Sequence, residues 1–148
     1  MTLKEKLERD LHEAMRQRDV RRRNVLRMAL SAIQTVEATR KDPLSDDEVV
    51  VLLRKEAKRR EEALQMMRDA GREDLVPAEE TELEILRAYL PRMMDDAEIT
   101  ELAKEVIAET GAASPADMGQ VMGALMPRVK GKADGRVVSQ IVRQLLVE

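Results

Sequence analysis

Five residues near the end of the chain have the types that build phosphate sites. Arg128, Lys130, Gly131, Lys132 and Arg136 fall within nine residues, with Asp134, which would repel a phosphate it faced, among them. The lysines and arginines supply positive charge, and Gly131 gives the backbone freedom to bend. Asp134 is placed to cap a helix, and the free amides of a helix N-terminus favour anions. A solvated loop with a capping aspartate accounts for much of the same pattern. The spacing is not that of a P-loop, which needs G-x-x-x-x-G-K-[ST].

Just upstream, Gly119 and Gly123 stand one helical turn apart. Glycine inside a helix costs roughly 1 kcal/mol against alanine, so a compensating close approach is expected. Packing against another helix is the preferred reading, and approach by a ligand backbone is the alternative. A second cationic run, Arg16, Arg18, Arg21, Arg22, Arg23 and Arg27, has Arg23 and Arg27 at i,i+4. Arginine clusters can read phosphates. With Glu8, Asp10, Glu13 and Asp19 close by, a solvated helix face is the default reading.

Nothing assembles into a catalytic site. There is no cysteine, which excludes disulfides and thiolate metal sites. His12 is the one histidine and reads as a surface or boundary residue with no second ligand to join. Glu79, Glu80, Glu82, Glu84 and Asp95, Asp96, Glu98 are acidic runs that caps and exposed helix faces explain. No cofactor and no metal site is expected. Met66-Met67 and Met93-Met94 read as gap-filling core residues.

These residues must be positioned by helices. The chain has 148 residues, 43% hydrophobic and 37% charged, with no Phe or Trp and one Tyr. A core of Leu, Ile, Val, Ala and Met suits helices better than a sheet sandwich. Thr2-x-x-Glu5 is a capping box that starts a helix to about Arg18, with Leu3, Leu7, Leu11 and Met15 on its face. Asp19 caps a second helix carrying Val25, Leu26, Ala29, Leu30, Ile33 and Val36, ending near Thr39. Ser45-x-x-Glu48 starts a long third one along Val49, Leu52, Leu53, Ala57, Leu64 and Met67, stopped by Gly71. Pro77 opens a fourth that continues to Pro91.

After "PRMMDD", which reads as a linker, Asp95 or Asp96 caps a fifth helix with Ile99, Leu102, Ala103, Val106 and Ile107, ended by Gly111. Ser114-Pro115 opens a sixth with Met118, Val121, Met122 and Leu125, limited by Pro127. Asp134 caps a seventh with Val137, Val138, Ile141, Val142, Leu145 and Leu146. The expected fold class is therefore all-α, a four-helix bundle over residues 1–91 and a three-helix domain over 95–148. No apolar run approaches the roughly 20 residues of a membrane span, and the charged start is unlike a signal peptide. A cytoplasmic protein is expected.

Charge is uneven. Residues 95–117 carry seven acids and one base, and residues 128–143 carry five bases and one acid, Asp134. The first 94 residues balance at 20 acids and 20 bases.

"TLKEKLERDLHEAMRQRD", "AGREDL", "ELEILRAYLP" and above all "MGQVMGALMPRVKGKADG" resemble the YqeY-like family over essentially the whole chain. The last fifty-odd residues are also similar to the C-terminal tail domain (the GatB/YqeY domain) of the glutamine-dependent aspartyl/glutamyl-tRNA amidotransferase. The resemblance implies a helical bundle followed by a small three-helix unit, and a tail that contacts tRNA. By position, Lys130, Gly131 and Lys132 match the tail's basic loop, and Gly119 and Gly123 its glycine helix. The tail's loop can carry an Asn-Pro-like cap where this chain has Asp134-Gly135.

The leading expectation is a non-catalytic tRNA-binding accessory protein working with tRNA and with an aminoacyl-tRNA-related enzyme. A protein–protein adaptor with a helical groove is the alternative. A component of a carbon–nitrogen ligase with glutamine as amide donor, the family's usual label, is the weakest reading.

Overall fold

A computed structural model describes residues 1–147, and among them all regular structure is helical. Seven α-helices follow in order: α1 Leu3–Arg16, α2 Val20–Glu37, α3 Asp46–Asp69, α4 Val76–Arg87, α5 Asp96–Thr110, α6 Met118–Val129 and α7 Gly135–Val147. A short 3-10 turn, Pro115–Asp117, precedes α6. The chain divides into two compact units, Met1–Pro91 and Arg92–Glu148.

The helix starts follow their capping residues. The Thr2 hydroxyl accepts from the Glu5 amide while Glu5 accepts from the Thr2 amide, and Ser45 with Glu48 repeats the device. Asp19 accepts from the Arg22 amide at 3.1 Å, and Asp95 from the Glu98 amide at 2.8 Å.

The ends share one motif. At the end of α3 the Arg72 amide reaches the Met67 carbonyl, and Gly71 at φ 73° donates to Arg68. The end of α1 is built the same way, with the Asp19 amide on Ala14 and the Arg18 amide on Met15. There the left-handed position belongs to Arg18, at φ 57°.

In the first unit α1 packs on α2 and α3, and α4 packs on α2 and α3. Leu7, Leu26, Ile33, Val49, Leu53 and Leu86 lie at the centre of that core. Tyr89, in the turn after α4, is buried there too. In the second unit α5, α6 and α7 all touch one another around Ile99, Ala103, Val106, Val121, Leu125, Val129, Val138 and Val142.

Several details differ from the expectation. Met15 is exposed and Ala14 takes the core position in the last turn of α1. α4 ends at Arg87, short of Pro91, because Tyr89 turns inward and caps the core with its ring. Pro127 lies inside α6 and does not limit it. The helix runs only two residues further, and the full burial of Val129 draws it on. Met66 and Met93 are exposed, while Met67 and Met94 pack on the two cores. His12 is exposed, as expected.

Candidate nucleic-acid interface

The basic loop lies between two helices that fix its ends. α6 closes on Val129, whose burial anchors the entry, and Val138 on α7 anchors the exit. Between them the Lys132 and Ala133 amides both donate to the Val129 carbonyl, at 2.8 and 3.0 Å. Gly131 adopts φ 77°, the left-handed region that a side chain disfavours. The Lys132 carbonyl accepts from the Met94 amide at 2.8 Å, which ties the loop to the segment ahead of α5.

The backbone of the loop is thus held, and its side chains project from it. Lys130, Lys132 and Arg136 are exposed and have no ion pair among the described residues. Arg128 is different. It pairs with Glu109 on α5 at 2.7 Å, and that hydrogen bond raises its pKa above the usual guanidinium value. Part of its charge is therefore already answered within the protein.

The N-terminus of α7 is not an open anion site. The Asp134 carboxylate accepts from the Arg136 amide at 2.8 Å and so occupies the position an anion would take. Any phosphate held here must be held by the lysine and arginine side chains.

Gly119 and Gly123 overturn the packing expectation. A Cβ added at either would meet nothing within 4 Å. Both are exposed, on the side of α6 opposite Val121, Leu125 and Val129. With Pro127 they leave a strip of nearly bare backbone facing outward, which neither α5 nor α7 covers. The reason lies in the register: steps of three and four residues put the apolar side chains on one face and the small residues on the other.

Two features of the site had no sequence signal. Glu109 lies 19 residues before its mate Arg128. The Met94–Lys132 bond joins two main-chain groups, which side-chain identity does not encode. The Ala113 and Ser114 amides are both satisfied by Asp117, at 2.9 and 3.2 Å, so the start of the sixth element is built by Asp117 and Pro115 together.

The sequence profile of YqeY-like proteins matches residues 4–146. This chain belongs to the YqeY-like family. A relative from Pyrenophora tritici-repentis, named altered inheritance of mitochondria protein 41, mitochondrial, is 31% identical over 146 residues, covering 95% of this chain and 79% of that protein. An uncharacterized protein of Schizosaccharomyces pombe is 36% identical over 76 residues, which is 51% of this chain and 60% of that one.

Among the described residues of this YqeY-like protein, no group of three or more His, Asp or Glu side chains is placed to hold a metal. No helix there is long and apolar enough to cross a membrane. The first unit has shallow clefts among its helices. One, between α3 and α4, is bounded by Arg68–Glu80 and Arg87–Glu61 ion pairs.

Proposed function

We propose that this YqeY-like protein is a non-catalytic tRNA-binding accessory protein, and that the loop from Lys130 to Arg136 touches the RNA backbone. The observation that carries the reading is the loop itself. Lys130, Lys132 and Arg136 are presented outward from a backbone pinned at both ends, with no carboxylate answering them among the described residues. Neutralising phosphates with such groups releases counterions, so the contact would be insensitive to sequence and sensitive to salt. The open space at Gly119 and Gly123 supports the same reading, because no side chain stands at those two positions to hold a ligand backbone away from α6. The cytoplasmic setting expected from the sequence belongs to this proposal, as does a partner enzyme that handles aminoacyl-tRNA. The mitochondrial label of the fungal relative belongs to that protein.

The test is tRNA binding by the full chain across a salt series. Replacing Lys130 and Lys132 with alanine should weaken binding and flatten the dependence of log K on log salt by roughly two, one per phosphate contact. The fold should survive, since both are exposed loop residues. Unchanged affinity and slope would refute the reading. A parallel assay with glutamine, ATP and misacylated tRNA should release no glutamate, because no nucleophile with an adjacent base can be assembled here.

A further inference from the structure

α2 opens against helix electrostatics. Its first four residues are Val20, Arg21, Arg22 and Arg23, and its first turn contains no acid. The N-terminus of a helix is the positive end of its dipole, so cations there are unfavourable. The Asp19 cap is the local offset. No Asp or Glu occurs between Val20 and Val36.

Elsewhere in this unit arginines are matched across helices and turns: Arg40 with Glu48, Arg60 with Glu82, Arg68 with Glu80, Arg87 with Glu61. Within the cluster itself Arg16 is matched by Glu13, and Arg22 joins Asp10 and Tyr89. Arg18, Arg21, Arg23 and Arg27 have no carboxylate partner among the described residues. At about 100° per residue, Arg23 and Arg27 lie on one flank of the outer face of α2 and Arg21 on the other. Val20, Asn24 and Ser31 are exposed between them.

Arg18 is a second, independent observation. It holds the left-handed position at the end of α1, at φ 57°, where the same motif in α3 uses Gly71. A long cationic side chain is kept where glycine is the unstrained choice. Three of the nearby carboxylates are engaged. Asp10 accepts from Tyr89, Glu13 from Gln17, and Asp19 from the Arg22 amide.

The chemistry narrows the occupant. Arginine forks suit phosphate oxygens. The chain has no Phe or Trp, Tyr89 is buried and the exposed His12 ring stands on α1, so the outer face of α2 has no aromatic ring of its own on which unpaired bases could stack. The same lack removes the aromatic anchors typical of a membrane interface. What remains is a regular phosphate backbone whose bases stay paired. We propose that the α1–α2 turn and the outer face of α2 bind the phosphate backbone of double-helical RNA through Arg18, Arg21, Arg23 and Arg27. The choice of RNA rests on the tRNA reading above; the charge argument does not.

The experiment uses the full chain, an RNA duplex of about 16 base pairs, its separated strand, tRNA, and phosphatidylserine vesicles. Replacing Arg21, Arg23 and Arg27 together with alanine should lower duplex affinity by tenfold or more at low salt and flatten the salt slope by about two to three. The same three positions as lysine should keep most of the binding, which separates lost charge from lost fold. Arg18→Gly should melt at the same or a higher temperature yet lose about one unit of slope; a purely structural Arg18 would leave binding untouched. Unchanged duplex binding in the triple-alanine protein overturns the inference, and if Lys130 and Lys132 then still matter, the tRNA reading stands without it. Tighter binding to the single strand than to the duplex overturns it too. So does arginine-dependent binding to vesicles with none to duplex.

Discussion

The two units present positive charge in opposite ways. In the first, arginines stand on the rigid start of α2, and acids elsewhere in the unit are consumed by pairs such as Arg60–Glu82 and Arg68–Glu80. In the second, lysines stand on a loop whose backbone is pinned at both ends, beside the open glycine positions of α6. Local charge points to residues 128–143 in the second unit, because residues 1–94 are electrically balanced. The structure shows that balance over a segment says little about which cations are free. What matters is where the acids are committed: Asp10 and Asp19 are taken up at Arg22, and Arg21, Arg23 and Arg27 are left without a carboxylate among the described residues.

The largest effect expected from the comparison is on stability. Leu53 and Leu125 are both fully buried, one in each core. Truncating either to alanine should cost about 2–5 kcal/mol. If the units are separate cores, hydrogen exchange in the full chain should speed up in α1–α4 for Leu53→Ala and in α5–α7 for Leu125→Ala. Uniform acceleration by either variant would break the division.

Next comes the one aromatic residue. The Tyr89 hydroxyl donates to Asp10 at 2.6 Å, the Arg22 guanidinium donates to that hydroxyl at 3.3 Å, and Lys6 lies over the ring at 5.5 Å. Burial and then the Asp10 hydrogen bond push the Tyr89 pKa up to about 12. Desolvation alone would raise Asp10, but the bonds from Tyr89 and Arg9 outweigh it and its pKa falls. Tyr89→Phe should lower the denaturation midpoint of the first unit by an amount equal to about 1.5–3 kcal/mol, the value of a hydrogen bond to a charged group. No change would mean that water replaces the hydroxyl without loss.

Glycine positions sharpen the contrast. Gly71→Ala should destabilise by about 1 kcal/mol because its φ is 73°. Gly123→Ala should do the reverse, gaining up to about 1 kcal/mol, since it is helical and meets nothing within 4 Å. If thermal melting shows the stabilised Gly123→Ala protein binding tRNA as well as the parent, the bare strip on α6 has no part in the interface.

The smallest expected effect is on pH dependence. Glu48 accepts from Arg40 and from the Ser45 amide, which lower its pKa from 4.5 to about 2. A folded pKa below the unfolded one contributes stability that is present above 4.5 and lost as pH falls toward 2. Glu48→Gln should flatten the acid limb of the stability curve over that window, read by circular dichroism. Because the pair is exposed, the change should be small.

Much of the helical architecture was legible in the residues because local chemistry encodes it. Thr2, Asp19, Ser45 and Asp95 all cap where their spacing placed them. The apolar faces of α3, α5 and α7 also follow from periodicity alone. What was not legible depends on distant contacts. Nothing near Arg128 announces Glu109, and nothing near Tyr89 announces Asp10. The glycines of α6 were misread because helix period shows which residues share a face but not whether another helix covers it. Pro127 reads as a stop in the sequence, yet α6 continues to the buried Val129, a contact that local residue types do not encode.

The central claim is that cations without a carboxylate partner among the described residues hold the backbone of an RNA. Its most direct test is the slope of log K against log salt for tRNA binding by the unmodified chain. The loop alone predicts a slope of about −3, and the loop with the α2 arginines about −6. Binding that does not weaken with salt, or no binding at low salt, would contradict it.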